Sequence, residues 1–453
     1  MNNCIRFSPR ASLALTGMRV QQMGIWQTIK EHVQIKQKVI KHSPVEKLQD
    51  AFINIMAGGH GVVEVNNRVR PDAALSAAFG RRGCADQSTV SETLNACDET
   101  SVDQMREALR VIYQQHSQGY VHHYGRELQL LDVDMTGMPA GRQGEKVTSG
   151  YFAKQKNQRG RQAGRVVATL YDEIVVERLY AGTTQLNRSL QELIEATETV
   201  LDLNSGFRKR TIVRTDGGGG ADADVNWLLG RGYGILTKVT HWRRLEKLIP
   251  TVSLWHSDPK ETKRQAGWVT APHLYDQPTR QLAVRCRQKN GQWHHAVLVF
   301  NLTDDQLRWL LQRRYAPDKL PADPMWLAVY AYDQRGGAVE TTIKGSKAGL
   351  GMTKRNKKRF DAQEMLLLLA QLAYNLIGWT RNSLASHTAR LRHFGMLRMV
   401  RDAFHIPGTI TFDRHGHIVQ ITLNQAYGLA SSFVFALATY LARDGTVAIL
   451  GQI

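Results

Sequence analysis

The sequence has few cysteines and no long uninterrupted apolar run. No two of its four cysteines form a C-x-x-C pair, which excludes a zinc ribbon and a disulfide framework and favours a reducing compartment. The most apolar stretch, residues 427–442, covers about 16 residues, short of the roughly 20 that a membrane helix needs. Residues 1–19 lack the apolar core of a signal peptide. We therefore expect no association with a membrane.

Acidic residues are too few to balance the basic ones. The chain has 59 Lys and Arg against 40 Asp and Glu, a formal net charge of +19. Such an excess repels itself unless the partner is a polyanion, and nucleic acid is the commonest one. Contents of 42% hydrophobic and 22% charged residues exclude disordered, collagen-like and coiled-coil classes. We expect a globular protein of two to four domains that is cytoplasmic and associated with the nucleoid.

Residues 1–120 are predicted to be a helical N-terminal region that binds DNA. Ser43, Pro44 and Glu46 form a capping box with proline at the first helical position, and Gly58 ends that helix. A short helix over 72–79, a turn over 80–83 and a second capping box over 89–92 have the pattern of a helix-turn-helix. Two ordinary packed helices explain this pattern equally well.

Residues 121–239 have the pattern of an α/β fold. The predicted strands and helices alternate as β-β-β-α-β-α-β, the outline of a ribonuclease-H-like sheet. Acidic residues end two of the strands, with Asp134 after the first and Asp216 after the fourth. The predicted elements are a strand to 134, a hairpin over 166–170 and 174–179, a helix over 189–203, a strand over 211–214, a helix over 221–229 and a strand over 233–239.

A β-rich insertion is predicted to interrupt this core at residues 240–325. It holds five of the nine tryptophans and a hairpin that turns at Asn290-Gly291. Residues 326–390 then continue the core, with a strand over 326–332 and a helix from about 337. Residues 391–453, with a hairpin near 413–416 and a buried helix over 427–442, are the candidate region for dimerisation.

Asp134 and Asp216 are predicted to meet at neighbouring strand ends. Paired carboxylates repel one another unless divalent cations neutralise them, so the pattern indicates one or two Mg²⁺ or Mn²⁺ ions. We expect Asp132 and Asp134 to face opposite sides of the sheet, so that only one of the two, Asp134, lines the site directly. Glu340 is the only acidic residue between positions 333 and 361 and is the candidate third ligand. Lys344 and Lys347 share its helix face.

Three motifs together resemble a known family. They are Asp134-Met135-Thr136, then Arg214-Thr215-Asp216, then Tyr332-x-x-Arg335 followed by Glu340 and Lys347. This series is similar to the cut-and-paste DDE transposases of bacterial insertion sequences that carry a tyrosine, arginine, glutamate and lysine signature. The family also interrupts its core with a β-rich insertion before the glutamate. Four residues separate Arg335 from Glu340, where the family has three.

The resemblance implies a DNA transposase with a ribonuclease-H-like core. Asp134, Asp216 and Glu340 would hold two Mg²⁺ or Mn²⁺ ions for cleavage at transposon inverted-repeat ends and strand transfer into target DNA. A homodimer on DNA is expected by the same analogy. Two alternatives remain open: a structure-selective nuclease on the same core, and a non-catalytic regulator derived from a transposase.

Two basic runs flank the predicted site and are candidates for DNA contact. The first follows Asp134 and the second lies over residues 344–359, where seven cations occur without an acid. A solvated charged face is the ordinary explanation of such a run. The DNA-binding residues predicted from these runs and from the family signature are Tyr332, Arg335, Lys344, Lys347, Lys354, Arg355, Lys154, Arg159 and Arg161.

Overall fold

The structure, a computed structural model, describes residues 4–150, 152, 158–441 and 445–452. The helices are α1 Ala14–Gln22, α2 Ile25–His32, α3 Pro44–Met56, α4 Ala73–Ala78, α5 Gln87–Ala96, α6 Glu99–His116, α7 Leu190–Leu201, α8 Ser205–Lys209, α9 Asp222–Gly230, α10 Trp242–Leu248, α11 Asp304–Gln312, α12 Pro324–Asp333, α13 Val339–Gly349, α14 Phe360–Ala385, α15 Ala389–Arg392, α16 Met396–Arg398 and α17 Ala430–Leu441. The strands are β1 Cys4–Ser8, β2 Gln129–Pro139, β3 Thr148–Ser149, β4 Arg159–Ala168, β5 Glu173–Ala181, β6 Thr211–Thr215, β7 Gly234–Val239, β8 His256–Ser257, β9 Arg264–Trp268, β10 Arg280–Arg287, β11 Trp293–Phe300, β12 Gly408–Phe412, β13 Ile418–Asn424 and β14 Val447–Gly451.

The central sheet has the predicted ribonuclease-H-like order. Strands β5, β4 and β2 pair antiparallel, and β2, β6 and β7 pair parallel, so the spatial order is β5-β4-β2-β6-β7. Along the chain these strands and their helices alternate as β-β-β-α-β-α-β, as the sequence predicts. The strand carrying Asp134 continues to Pro139, beyond the predicted end, because β4 pairs with it along its whole second half.

The strands within residues 240–325 extend this same sheet. The predicted hairpin is present as β10 and β11, and β11 pairs antiparallel with β7. Strands β9 and β8 continue the sheet beyond β10. The hydrophobic residues of this segment accordingly share clusters with those of the core strands. The β-rich segment therefore widens the sheet from its β7 edge.

The strand predicted over residues 326–332 is wrong, because this stretch is helix α12. Asp323 caps the helix, its side chain accepting from the Met325 N–H, and Pro324 takes the first turn. Seven consecutive residues, 325–331, are buried. A helix buried on all sides carries a continuous apolar run, which has no periodicity to distinguish it from a strand.

The N-terminal helices pack against α14. Buried residues of α1 to α6, α14 and the C-terminal strands form one hydrophobic cluster. The capping box at Ser43 is present, with the Glu46 N–H donating to Ser43 Oγ and the Ser43 N–H donating to Glu46 Oε2. The second capping box is wrong: Asp86 caps α5, and Thr89 Oγ1 donates to the Asp86 carbonyl inside the first turn.

A second sheet joins the two ends of the described chain. Strand β1 pairs with β12, β12 forms the predicted hairpin with β13, and β14 adds parallel to β13. Helix α17 packs on β14 and α14, but the prediction that it is buried is only half right, because one of its faces, with Phe435 65% exposed, lies in solvent. Over the described residues, no helix combines the length and the hydropathy that a membrane span requires.

Candidate active site

The parallel pairing of β2 and β6 places Asp134 beside Asp216. Val133 is the register partner of Thr215, so the next residue on each strand reaches the same level of the sheet. Asp216 directly follows β6, and its Oδ1 accepts from the Gly218 N–H at 2.8 Å. Asp134 Oδ1 accepts from the Met135 N–H at 2.8 Å. The two carboxylates predicted to meet therefore do lie on neighbouring strands.

The expectation that Asp132 faces the other side of the sheet is wrong, because residues two apart on a strand point to the same side. Asp132 shares the face of Asp134 but belongs to a buried ion pair. Arg214 Nε donates to Asp132 Oδ1 at 2.6 Å, and its Nη2 donates to Oδ2 at 2.7 Å. Arg214 Nη1 also donates to the Ala331 carbonyl on α12. Because Asp132 and Arg214 are register partners, the pair fixes β2 against β6 and so helps to fix Asp134 and Asp216, which lie two residues further along the chain.

Arg335 bridges Asp134 and Glu340. It lies on a short 3₁₀ helix, Gln334–Gly337, between α12 and α13, and is only 5% exposed. Its Nη2 lies 2.9 Å from Asp134 Oδ2, and its Nη1 lies 3.5 Å from Glu340 Oε1. The first turn of α13 carries Glu340. The guanidinium is thus the positive charge in direct contact with this carboxylate pair.

Burial raises the pKa of Asp134 to about 6, while the Arg335 guanidinium opposes the rise and the carboxylates of Asp216 and Glu340 add to it. Burial lowers the pKa of Arg335, but the charges of Asp134 and Asp216 outweigh it and raise that pKa overall. A buried carboxylate that still carries a raised pKa beside an arginine lacks full charge compensation. Such a centre attracts a further cation.

A cavity of about 810 Å³ opens at the two aspartates. Lys238, Lys347 and Lys354 line it and give it positive charge. Lys347 Nζ donates to Thr136 Oγ1 at 2.5 Å, which joins the first predicted motif to the last. Tyr332 is half-buried, and Lys238 Nζ lies 5.6 Å from its ring centre. Glu340 does not line this cavity.

The carboxylate oxygens at this cavity fit a divalent cation, although Glu340 lies apart from Asp134 and Asp216. Asp134 and Asp216 supply hard carboxylate oxygens to one cavity, as Mg²⁺ and Mn²⁺ require. Among the described residues, no three His, Cys, Asp or Glu side chains converge closely enough to hold one ion. Glu340 instead contacts Arg335, whose Nη1 lies 3.5 Å from Glu340 Oε1. Asp134 and Asp216 would hold the ion, and Glu340 would complete the set after leaving Arg335.

Sequence comparison decides the family. A family described as "Transposase DDE domain group 1" matches residues 8–439, nearly the whole chain. The chain belongs to the DDE transposase family. It is a DNA transposase, as the motifs at Asp134, Asp216 and Glu340 indicated. No curated protein sequence matches it significantly.

Two solved structures are similar to this transposase at low identity. One is a cryo-EM structure of the piggyBac transposase synaptic complex with hairpin DNA, with 12% identity, a TM-score of 0.46, and coverage of 85% of this chain and 80% of that chain. The other is a crystal structure of a pre-cleavage Mos1 transpososome, with 13% identity, a TM-score of 0.17, and coverage of 45% and 61%. Family membership rests on the sequence match.

Three predicted DNA-binding residues of the transposase are buried. Arg335 contacts Asp134 and Glu340, as described above, and the assignment of the other two is corrected. Arg161 is 1% exposed and donates to the carbonyls of Glu145, Lys357 and Lys358. Arg355 is 4% exposed and donates to the Gly59 carbonyl. Both guanidiniums therefore bind backbone carbonyls inside the fold and lie out of reach of a DNA backbone on the surface.

The other predicted DNA-binding residues have different placements. Lys344 and Lys354 are exposed, and Arg159 is exposed at the start of β4. Lys347 is half-buried at the cavity. Lys154 lies outside the described residues. The exposed and half-buried cations are available to a polyanion, and their contact with DNA stays a prediction.

Sequence reasoning missed Lys238 and the structural role of Arg214. Lys238 lies one residue from the end of β7, the parallel neighbour of β6, and lines the cavity. The same strand-end argument that selected the aspartates would have found it. The sequence motif Arg214-Thr215-Asp216 assigns no separate role to Arg214. Its position opposite Asp132 in a parallel pair was the available signal for an ion pair.

Proposed function

We propose that this DNA transposase cuts phosphodiester bonds at transposon inverted-repeat ends and joins the freed ends to target DNA, with Asp134, Asp216 and Glu340 as ligands of two Mg²⁺ or Mn²⁺ ions. The observation that carries the proposal is the register of β2 and β6, which puts two carboxylates at one cavity lined by lysines. Tyr332, Arg335, Glu340 and Lys347 would form the signature of the bacterial insertion-sequence branch of the family.

The bound metal ions would polarise the scissile phosphate and activate the attacking hydroxyl. The transposase's own residues would position the DNA. Lys347 and Lys354 present ammonium groups to the cavity, and Lys238 adds a third. Phosphates are held by such charges whatever the base sequence, so these contacts would fix the strand without selecting it.

The positive surface beyond the cavity supports DNA as the partner. Lys344 and Arg159 are exposed on elements that flank the cavity, α13 and β4. A chain with a net charge of +19 binds nucleic acid through counterion release, so we expect binding to weaken steeply with added salt. Bringing two DNA ends together requires two active sites, which favours a homodimer on DNA.

Cleavage of DNA that carries the sequences flanking the gene tests the proposal. With Mg²⁺, the native protein should cut the ends and transfer them to target DNA. Asp216→Asn should lose both activities at least a hundredfold, because a carboxylate ligand is removed while the side-chain shape is kept. Asp222→Asn is the matched control, since Asp222 is a nearby aspartate that pairs with Arg244.

The outcomes separate the proposal from its alternatives. Equal cleavage by Asp216→Asn and the native protein would remove the catalytic assignment. Cleavage without strand transfer would favour a structure-selective nuclease. Specific DNA binding without any cleavage would favour a regulator.

A further inference from the structure

Arg335 differs from the other buried arginines in what it contacts. Arg214 binds Asp132, and Arg165 binds Glu177, neither of which is a predicted metal ligand. Arg335 instead binds Asp134 and Glu340, two of the three predicted ligands. Its buried position, 5% exposed, means that solvent does not screen this charge.

Little else anchors the guanidinium. Apart from the two carboxylates, Arg335 Nη2 reaches the Val133 carbonyl at 3.4 Å, a long hydrogen bond. Its Nε has no hydrogen-bond partner among the described residues. The side chain is therefore held chiefly by the acidic centre, and its fork contacts one oxygen of each carboxylate.

We propose that Arg335 is the internal counter-cation of this centre in the DNA-free transposase, and that a divalent ion must compete with it for Asp134 and Glu340. The inference rests on the proposed function, because it takes these carboxylates as metal ligands. Arg335 is on this account a positioning residue, which acts on the metal through the carboxylates. Glu340 stands away from the cavity while it contacts Arg335 and joins the other ligands when that contact breaks.

The direction of the effect follows from charge. Three carboxylates and one guanidinium carry a net charge of −2, whereas the three carboxylates alone carry −3. A cation within about 3 Å of a ligand oxygen repels an incoming ion, and burial strengthens that repulsion. A neutral side chain at position 335 should therefore tighten divalent binding. Lysine keeps the charge and should not.

Titration of the full-length, metal-free and DNA-free protein with Mn²⁺ tests this inference. We expect Arg335→Gln to lower the Kd for Mn²⁺ at least tenfold relative to the native protein, and Arg335→Lys to stay within threefold of it. Mn²⁺ should also raise the Tm of Arg335→Gln more than that of the native protein, because the variant's unpaired Asp134 gains a partner. Arg335→Met serves the same purpose if the glutamine variant lacks native circular dichroism.

Two controls make the result specific. Arg280 lies on β10, four strands from β2 and thus roughly 19 Å away, and forms a half-exposed pair with Asp304 of α11. Arg280→Gln removes the positive charge of this pair. It should leave the Mn²⁺ affinity unchanged. Asp216→Asn combined with Arg335→Gln should abolish the tight binding, because a ligand is lost.

The results distinguish this inference from the proposed function. If Arg335→Gln binds Mn²⁺ no more tightly than the native protein, or Arg335→Lys tightens it equally, charge competition is refuted while the ligand set stands. If Asp216→Asn leaves the tight binding intact, or no variant binds Mn²⁺, the ligand set fails and this inference fails with it.

Discussion

Replacing Arg214 with glutamine should unfold the transposase more easily and loosen the site. The change removes both hydrogen bonds to Asp132 and the bond to the Ala331 carbonyl. Asp132 is then left as a fully buried charge whose remaining side-chain partner is Thr169 Oγ1 at 2.6 Å. Removing one member of a buried ion pair costs about 3–5 kcal/mol, because the other charge stays buried without compensation.

Urea unfolding followed by circular dichroism measures this loss. A double-mutant cycle with Asp132→Asn isolates the pair, and the double variant should be less destabilised than the sum of the single variants by about 0.5–3 kcal/mol. Arg280→Gln is the control, because its half-exposed pair with Asp304 should contribute only about 0–1 kcal/mol. A loss below about 1 kcal/mol for Arg214→Gln, or strict additivity in the cycle, would refute the role given to this pair.

Two further predictions concern single buried positions. Asp224 is 2% exposed, and burial raises its pKa to about 6 although Gln191 donates a hydrogen bond to it. The native state therefore binds more protons than the unfolded state between about pH 4 and 6, and it loses stability as the pH rises through that range. Asp224→Asn should remove this loss, so the effect of the substitution on the free energy of unfolding should be about 1–3 kcal/mol more favourable at pH 8 than at pH 4. An equal effect at both pH values in urea unfolding would contradict the raised pKa of Asp224. Gly408→Ala should destabilise by about 1–3 kcal/mol, because its Cβ would lie 2.0 Å from the Thr422 carbonyl oxygen. Gly395→Ala, which meets open space, should change thermal stability by less than about 0.5 kcal/mol, and equal effects of the two alanines would exclude the steric reason.

The sequence was sufficient where local rules decide the structure. The capping box at Ser43 depends only on residues three positions apart, and Gly58 ends α3 with a φ of +78°. The proximity of Asp134 and Asp216 follows from two predicted strand ends in a parallel sheet. The expectation that Asp132 and Asp134 face opposite sides of the sheet was wrong, because strand alternation places residues two apart on the same side.

Competing local signals explain the errors in element boundaries. Asp86 caps α5 ahead of the capping box expected at Thr89, and only one of two overlapping caps can be used. The apolar run over 326–332 predicted a strand, although Asp323 and Pro324 carried the start signal of a helix. The sequence contains both caps that form, at Asp86 and at Asp323, but the neighbouring residues alone do not show that they are preferred over the competing cap and strand patterns.

Long-range contacts explain what could not be predicted about the basic residues. Arg161 binds carbonyls at Lys357 and Lys358, almost 200 residues away in the chain, and Arg355 binds the carbonyl of Gly59. A run of cations predicts a charged surface only while its members stay in solvent. The tertiary fold decides which arginines satisfy buried carbonyls, and composition does not contain that information.

The pairing of β1 with β12 has a consequence for how the chain matures on the ribosome. Residues 4–8 emerge long before the strand that pairs with them, which lies roughly 400 residues later. At about 5–20 residues per second, synthesis of that interval takes about 20–80 seconds. Until then Ile5 and Phe7 have no strand beside them. An unfinished or C-terminally shortened polypeptide therefore keeps β1 unpaired on both sides, which makes it a substrate for chaperones or for self-association.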